Sequence, residues 1–297
     1  MRTAFLLSVS LAIRLFAAGP VAGVLPSPLL VSGSGRCYLL RPDGTVAWEK
    51  KGCGNIHRAY VRGPHVYWSN GDIFRTEIAT GATSLFYSPA PKEGAFGFDI
   101  RPSGNVVVAE NATGFIVDLA AGTTNRIVRF AADAAKADGS LPAPHHRFRM
   151  VRATPQGTYL VCCSGAAAVR EYDAAGRLLW EQPAPPLAFD AIRRANGNTL
   201  VSHLDAVTEY TPGHAVAWRF SCADAPELKL ANLCGIQEMP DGNLVVGTYA
   251  NGRPDGSRAT AFEVTREKRI VWSFASPCDR NMMTVFRIDA AEWPAEL

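Results

Sequence analysis

The chain has no long hydrophobic run, few charged residues and no dense cluster of positive charge. None of its 297 residues belongs to a run of 18 consecutive apolar residues, which is about what a helix needs to cross a bilayer. Charged residues make up 19% of the sequence, and the formal net charge is only +3. The basic residues are scattered, whereas a protein that follows a phosphate backbone groups them. We therefore expect no transmembrane segment in the mature chain and no nucleic-acid partner.

Several motifs that mark common enzyme sites are also missing. The sequence has no G-x-S-x-G, so it does not indicate a hydrolase with a nucleophile elbow. It has no G-x-G-x-x-G that opens a helix, so it does not indicate a dinucleotide-binding fold. Its seven cysteines include no C-x-x-C, which leaves zinc-ribbon and thioredoxin-type sites unsupported. No class of enzyme follows from a motif alone.

The pairing of the cysteines stays open at this point. Their number is odd, so at least one remains free or pairs between chains. Cys37 and Cys53 flank the segment YLLRPDGTVAWEK (38–50) and form one candidate pair. Cys222 could pair with Cys234 or with Cys278.

The first 22 residues resemble a secretory signal peptide. Arg2 supplies a positive start, residues 4–13 form an apolar core of about ten residues, and small residues follow up to Ala22. Arg14 interrupts the apolar stretch and is the one departure from the pattern. We expect an exported protein, in the periplasm, at the cell surface or in the medium. The mature chain is then a single domain over residues 23–297.

An internal repeat organises the remaining chain. Four hairpins each join an apolar strand to a β-branched strand through a turn built on Pro or Asn with Gly. They are FDIRPSGNVVVAE (98–110), VRATPQGTYLVCC (151–163), IRRANGNTLVSH (192–203) and IQEMPDGNLVVGT (236–248). A second set of hairpins carries a Trp in its last strand: YLLRPDGTVAWEK (38–50), REYDAAGRLLWEQ (170–182), TEYTPGHAVAWRF (208–220) and FEVTREKRIVWSF (262–274). Each repeat is therefore a unit of four short strands.

Four-stranded units at this spacing, without helical patterns between them, predict an all-β fold of the β-propeller type. When weaker copies are counted, the hairpins of the second set, which form the outer part of each unit, occur six times. The strands on the inner side of the units also occur six times. We therefore expect six blades, with seven as the alternative. The C-terminal strand TVFRIDA (284–290) is expected to complete the blade opened by LLVSGSGRCYLL (29–40). That pairing closes the ring and leaves no free sheet edge.

The repeats resemble the PQQ-like, or quinoprotein-type, β-propeller repeat family over nearly all of residues 28–290. The segment EYDAAGRLLW (171–180) carries the clearest copy of that family's pattern. NHL, arylsulfotransferase-like and SMP-30/lactonase propellers share parts of the same rhythm. The segment PHHRFR (144–149) is similar to an element of small bacterial surface propellers. The resemblance implies a small exported bacterial propeller.

The same resemblance raises the question of a bound quinone. PQQ enzymes of this superfamily use larger eight-bladed rings, calcium ligands and a vicinal disulfide. The chain does contain adjacent cysteines, Cys162 and Cys163, in the middle of a strand. Adjacent strand residues face opposite sides of a sheet, so we interpret them as two separate buried thiols. No cofactor is expected and PQQ least of all, while a divalent metal remains an alternative.

Polar residues gather where the predicted inner strands meet the central channel. Buried charges need partners, so these residues predict either a structural network with trapped water or a ligand site at the channel mouth. The candidates are His57, Asp99, His145, His146, Arg149, Arg152, Asp190 and Gln237. If the site is catalytic, Asp99 or Asp190 would be the base and His57 or His146 the acid. An arginine would stabilise an oxyanion.

These observations favour a module that binds a small molecule, a carbohydrate or a protein, without PQQ and without chemistry of its own. The alternative is a metal-dependent lyase or hydrolase that acts on a carbohydrate or lactone at the channel mouth. His57, His145 and His146, together with Cys53 and Cys234, would be the nearest source of metal ligands.

Overall fold

The computed structural model describes residues 21–90, 94–121, 125–185, 187–249, 257–276, 283–295 and 297. Residues 1–20 of the predicted signal peptide and Cys278 lie outside these ranges. Within them the chain is almost entirely β-structure, with one four-residue helix, α1 (Pro144–Arg147). Short 3₁₀ turns cover Ser164–Ala166, Cys222–Asp224, Pro226–Leu228 and Ala290–Glu292. In this part of the chain no helix has the length and hydropathy needed to cross a bilayer.

Twenty-five strands follow one another along the described chain. The first twelve are β1 (Val21–Ala22), β2 (Leu29–Ser32), β3 (Ser34–Leu40), β4 (Val46–Asn55), β5 (Arg58–Arg62), β6 (His65–Ser69), β7 (Ile73–Glu77), β8 (Thr83–Tyr87), β9 (Ala95–Ile100), β10 (Val106–Glu110), β11 (Phe115–Leu119) and β12 (Arg126–Ala131). The others are β13 (Val151–Ala153), β14 (Tyr159–Cys163), β15 (Ala168–Tyr172), β16 (Leu178–Pro183), β17 (Asp190–Arg193), β18 (Thr199–His203), β19 (Ala206–Tyr210), β20 (Val216–Ser221), β21 (Leu233–Glu238), β22 (Leu244–Thr248), β23 (Ala261–Val264), β24 (Ile270–Phe274) and β25 (Thr284–Arg287).

The described strands form six antiparallel sheets, which are the six blades of a β-propeller. Blade 1 is β25-β2-β3-β4, blade 2 is β5 to β8, blade 3 is β9 to β12, blade 4 is β13 to β16, blade 5 is β17 to β20 and blade 6 is β21 to β24. The first strand of each blade is the innermost, and it follows the outermost strand of the blade before it. The prediction of six blades, rather than seven, is confirmed.

The C-terminal strand closes the ring as predicted. β25 pairs antiparallel with β2, from Leu29 opposite Arg287 to Ser32 opposite Thr284. Blade 1 is therefore built from both ends of the domain, with its inner strand supplied by the C-terminal segment.

Blade 6 carries one strand more than the other five. β1 pairs with its outer strand β24, with Val21 opposite Phe274 and Ala22 opposite Ser273. These two residues are the last of the predicted signal peptide. Because β1 is additional to the usual four strands, its removal would leave blade 6 with the same strand number as its neighbours.

The repeated tryptophans pack between blades. Trp180 of blade 4 donates its indole N–H to the Pro212 carbonyl of blade 5 and stacks on His214. Trp218 of blade 5 makes the equivalent bond to the carbonyl of Arg266 in blade 6. Trp272 of blade 6 is buried in a cluster with residues of blade 1. The aromatic residue of each repeat thus fills the wedge between one blade and the next.

The glutamate of the repeat has a tertiary role that the pattern did not reveal. Glu171 lies opposite Trp180 in blade 4 and forms an ion pair with Arg193 at the end of the inner strand of blade 5. Glu263 occupies the same position opposite Trp272, and its carboxylate lies 3.3 Å from Arg287 of β25. In blades 4 and 6 the repeated acid therefore ties the blade to the inner strand of the next, whereas Glu209 of blade 5 pairs with Arg266 in the outer hairpin of blade 6.

The described cysteines are all free thiols. Cys37 and Cys53 are buried in the same core cluster, and a hydrogen bond with Cys53, followed by burial, raises the pKa of the Cys37 thiol. Cys222 packs in the core between blades 5 and 6, whereas Cys234 belongs to a different cluster. The sequence left open the pairings Cys37 with Cys53 and Cys222 with Cys234. Only the first pair lies within one core cluster.

The adjacent cysteines face opposite sides of blade 4. Cys162 lies in the core shared with blade 5, and Cys163 lies in the core shared with blade 3. This agrees with the interpretation as two separate buried thiols, because consecutive strand residues alternate between the faces. The two side chains do not form one site.

Candidate functional site

Three inner strands bring two arginines and one aspartate together inside the channel. Arg58 begins β5, Arg152 is the middle residue of β13, and Asp190 begins β17. The Asp190 carboxylate receives two hydrogen bonds from Arg58, at 2.9 and 3.1 Å. Two more come from Arg152, at 2.9 and 2.7 Å. Both arginines bind in the two-pronged manner that suits a planar carboxylate.

This channel triad fixes the ionisation of its members. Asp190 and Arg58 are fully buried, and the backbone N–H groups of Ala191 and Ile236 also donate to the carboxylate. Burial alone would raise the pKa of Asp190, but Arg152 and Arg58 outweigh it and lower the pKa to about 2. A carboxylate so weakly basic and so fully hydrogen-bonded is not a general base at neutral pH.

Two cavities lie on the two sides of the triad. One cavity, of about 390 Å³, is lined by His57 and Phe189, which directly precede Arg58 and Asp190 in the chain. We call it the His57 cavity. Residues that follow Arg58 in β5, such as Tyr60, line a cavity of about 200 Å³ at the opposite mouth, the Asp99 cavity. Arg152 contributes to the second cavity as well. The triad therefore separates one mouth of the channel from the other.

The Asp99 cavity is held together by bonds within the protein. Asp99 accepts the Tyr60 hydroxyl at 2.8 Å and the Ala153 backbone N–H at 3.1 Å. Gln237 exchanges two hydrogen bonds with the backbone of Arg287, at 3.1 and 2.7 Å. Both predicted site residues thus join neighbouring inner strands, and this is the structural network that the sequence offered as an alternative to a ligand site.

The His57 cavity combines an apolar floor with a basic wall. Its floor includes Phe189, Leu233 and Met283 from the starts of three inner strands. Its wall carries His57, His145, His146 and Arg149, and its volume falls within the range of about 300–1,000 Å³ typical of small-molecule sites.

The segment PHHRFR (144–149) forms the wall because its other side chains are anchored elsewhere. Arg147 donates to the backbone carbonyls of Ala112 and Pro142, and Phe148 is fully buried. The Asn111 amide donates to the carbonyls of Pro144 and Phe148, at 3.0 and 2.7 Å. These contacts hold the short helix α1 against blade 3 and leave His145, His146 and Arg149 to face the cavity.

Two histidines of the wall, His57 and His145, are held in the neutral state. Burial, followed by the charge of Arg149, lowers the pKa of His57 to about 3. The same two effects lower the pKa of His145. The His57 ring packs 4.4 Å from Phe96 and 5.7 Å from His145, and its Nδ1 finds no hydrogen-bond partner among the described residues. The hypothesis that His57 is the general acid of an enzyme therefore does not hold at neutral pH, because the ring is neutral there.

Arg149 is a half-buried cation without a described counter-ion. Its guanidinium lies 3.2 Å from His145 Nε2 and 3.5 Å from His146 Nδ1, which accept its hydrogen bonds. Among the described residues, no carboxylate forms an ion pair with Arg149, and none lines the His57 cavity. Burial lowers the pKa of Arg149, yet a guanidinium stays protonated in proteins. The cavity therefore offers a positive charge that no acid among the described residues compensates.

Cys234, a described thiol that lines the cavity, is not activated as a nucleophile. Burial raises the pKa of the thiol well above its ordinary value, so the thiolate is not formed near neutral pH. Within the described ranges, no three His, Cys, Asp or Glu side chains are placed to hold a metal ion. His145 and His146 instead direct ring nitrogens at Arg149, whose positive charge opposes a cation there.

The eight residues proposed from the sequence thus lie at three levels of the channel. His57, His145, His146 and Arg149 share one cavity, Arg152 and Asp190 form the triad, and Asp99 and Gln237 line the other mouth. Sequence reasoning missed Arg58, which completes the triad, and the apolar floor. Arg58 follows His57 directly at the start of an inner strand, which is a signal that could have identified it.

The neutral His57 predicts a loss of stability in mild acid. An unfolded histidine takes up a proton near pH 6.5, whereas folded His57 resists protonation down to about pH 3. Stability is therefore complete above pH 6.5 and falls as the pH decreases towards 3, by about 2 kcal/mol between pH 7 and pH 5. Urea unfolding across this range should show a smaller decrease for His57→Gln, while His214→Asn, at an exposed histidine, should follow the wild type. A His57→Gln slope equal to that of the wild type would contradict the assignment.

Comparison with known proteins shows the fold. No protein-family model matches the sequence, and no curated protein is significantly similar to it. A protein of unknown function from Bacteroides caccae superimposes with a TM-score of 0.73 at 20% identity, covering 88% of this chain and 98% of that one. A streptogramin B lyase has a TM-score of 0.59 at 10% identity, with 94% and 96% covered. Virginiamycin B lyase from Staphylococcus aureus has a TM-score of 0.55 at 11% identity, with 93% and 90% covered.

Proposed function

We propose that the protein is a binding module that holds a small anionic molecule in the His57 cavity. The observation that carries this proposal is Arg149, a half-buried guanidinium with no described carboxylate partner. Removing a cation from water without a counter-ion costs free energy, and a bound anion would recover that cost. The planar guanidinium, oriented by His145 and His146, suits the two oxygens of a carboxylate.

The floor of the cavity indicates the rest of the ligand. Leu187, Phe189, Leu204, Leu233 and Met283 supply an apolar surface beside the positive charge. Leu187 adopts a left-handed backbone conformation, with φ at +65°, a strained state that is uncommon for a bulky residue and tends to occur in binding loops. An amphipathic carboxylate with an aromatic or aliphatic body would fit both the charge and the floor.

The matched pair 3-phenylpropionate and 3-phenylpropionamide tests this function. Both have the same apolar body, but only the first carries the charge that Arg149 should bind. We expect calorimetry to show binding of the carboxylate, weakened about 10- to 100-fold by Arg149→Met, because a charge-assisted hydrogen bond contributes about 1.5–3 kcal/mol. Arg177→Met, at an exposed arginine of blade 4, is the control and should bind like the wild type. Equal binding of the amide, or no effect of Arg149→Met, would exclude this function.

We further propose that the protein is exported and belongs among propellers with PQQ-like repeats, without bound PQQ. The signal-like residues 1–22 and the repeat EYDAAGRLLW (171–180) support this proposal. Cleavage after residue 22 would remove β1 and leave four strands in every blade. The separation of Cys162 from Cys163 across two cores argues against a quinone held by a vicinal disulfide.

A metal-dependent lyase or hydrolase acting on a carbohydrate or lactone is the second candidate. One observation favours it: His145 is exposed to the cavity, and its lowered pKa keeps the ring neutral at neutral pH, the form in which an imidazole acts as a base or a metal ligand. Two of the similar structures are named as lyases. Metal analysis of the purified protein separates the candidates, because near-stoichiometric calcium or zinc would favour the enzyme.

A further inference from the structure

A second cavity, the Asp72 cavity, adjoins the proposed site. It has a volume of about 340 Å³ and is lined by Asn70, Gly71, Asp72, Gly94, Phe96 and His145, among others. His145 lines this cavity and the His57 cavity, so its ring stands between them. The ring packs edge-on against Phe96 on one side, with centroids 5.0 Å apart, and lies 5.7 Å from His57 on the other. The two cavities are therefore neighbouring compartments separated by one imidazole ring.

The polar groups of the Asp72 cavity are acceptors. The Ser88 hydroxyl donates to Asp72 Oδ1 at 2.6 Å, and Oδ2 has no hydrogen-bond donor among the described residues. The Asn70 amide donates its N–H to the Cys53 carbonyl at 2.8 Å, which leaves its own oxygen as an acceptor. No described cation forms an ion pair with Asp72. This compartment thus offers a carboxylate oxygen and an amide oxygen with no described donors.

The two compartments have opposite chemistry. The His57 cavity presents the cation Arg149 and no described carboxylate, whereas the Asp72 cavity presents a carboxylate and no described cation. An ammonium group carries a positive charge and three donors, so it matches the accessible oxygens of Asp72 and Asn70. A carboxylate matches Arg149. A ligand that fits both must hold its two charges far enough apart to pass the ring of His145.

We infer that the ligand is a short peptide or a similarly extended zwitterion, with its carboxylate at Arg149 and its ammonium group at Asp72. This inference rests on the proposed function, because it uses the same anion site. A free α-amino acid carries both charges on one carbon, whereas the two compartments lie on either side of the residue His145. A peptide gains about 3.3–3.6 Å per residue, so two or three residues cross the His145 ring. A hydrophobic C-terminal side chain would occupy the floor formed by Phe189, Leu233 and Met283.

Calorimetry with glycyl-glycyl-phenylalanine and its N-acetylated form tests the inference. The two peptides share the carboxylate and the aromatic ring and differ in the ammonium group. We expect the free peptide to bind about tenfold or more tightly than the acetylated one, because one charge-assisted hydrogen bond has at least that effect. Asp72→Asn, which keeps an acceptor oxygen for Ser88, should remove this difference. Arg149→Met should weaken both peptides.

The control variant is Asp241→Asn, which changes an exposed aspartate in a hairpin turn of blade 6. It should leave the difference in affinity between the two peptides intact. If the acetylated peptide binds as tightly as the free one, the anion site stands and the zwitterion is excluded. If neither peptide nor 3-phenylpropionate binds, the proposed function itself is wrong.

Discussion

Removal of residues 283–297 is expected to abolish cooperative unfolding, because it removes β25 and opens the ring. β25 is the inner strand of blade 1, and its Val285 and Phe286 are buried. Burial of two such side chains contributes about 3–6 kcal/mol, a large share of the 5–15 kcal/mol that stabilises a typical domain. The truncation would also leave β2 as an unpaired edge next to exposed core residues, which favours aggregation.

β25 also connects blade 1 to both of its neighbours. The Gly235 N–H in blade 6 donates to the Met283 carbonyl, at 2.8 Å, just before the strand begins. The Thr284 hydroxyl donates to the His57 carbonyl at the start of blade 2, at 2.9 Å. A side chain at position 235 would meet the Met283 carbonyl oxygen at 2.5 Å, so the glycine permits this close approach. Loss of β25 therefore affects three blades.

Thermal and urea unfolding, followed by circular dichroism, would measure this effect. The matched control is a chain that ends at Asp289, which keeps β25 and removes the exposed ion pair of Arg62 with Glu292 and the partly buried Trp293. The ion pair contributes about 0–1 kcal/mol, and the ring stays closed, so the control should be less stable than the full chain but still unfold cooperatively. A chain without residues 283–297 that melted like the full chain would show that the closure does not hold the ring together.

Asp190→Asn is expected to destabilise the protein by about 3–5 kcal/mol, because it leaves two buried arginines without their shared counter-ion. The substitution preserves the size of the side chain and removes its charge. Arg58 is fully buried and cannot turn to solvent, and Arg152 is largely buried. Among the described residues, neither arginine forms an ion pair with any other carboxylate. The two positive charges would then repel each other in the channel.

Two further variants identify the cause of that loss. Asp205→Asn changes an exposed aspartate that pairs with Arg219 and lies 3.2 Å from His203 Nδ1; it keeps an oxygen acceptor for His203 and should cost at most about 1 kcal/mol. The triple variant Arg58→Met, Arg152→Met and Asp190→Leu replaces the whole triad with apolar side chains and should regain much of the lost stability. Urea unfolding gives the three free energies. A loss below about 1 kcal/mol for Asp190→Asn would contradict the assignment of the triad as a closed charge network.

The architecture could be predicted because it is encoded in local repeats. The Pro-Gly and Asn-Gly turns fix where each hairpin reverses, and the tryptophans mark the last strand of four units. Six inner strands, the four-stranded blades and the pairing of β25 with β2 all followed from the period of these signals. The repeated glutamate was visible too, but its ion pair with the next blade was not, because that contact joins different repeats.

The site could be predicted only in part. The sequence placed eight polar residues at or near the inner strands, and the structure divides them among the His57 cavity, the triad and the Asp99 cavity. Their level along the axis was not encoded locally. It depends on how far each inner strand is displaced relative to the others, so Asp190 meets Arg58 across 132 residues of sequence. The same displacement separates Asp99 and Gln237 from His57.

The sequence by itself determined the fold, because turn residues and strand periodicity act over a few positions and repeat around a closed ring. It also placed His145, His146 and Arg149 together, since they lie within five positions in one short segment. Only the tertiary structure decided which charges neutralise one another. Asp190 compensates Arg58 and Arg152, while Arg149 has no described acid near it. Electrostatic pairing depends on distance in space, and that distance is set by blades that are far apart in the chain.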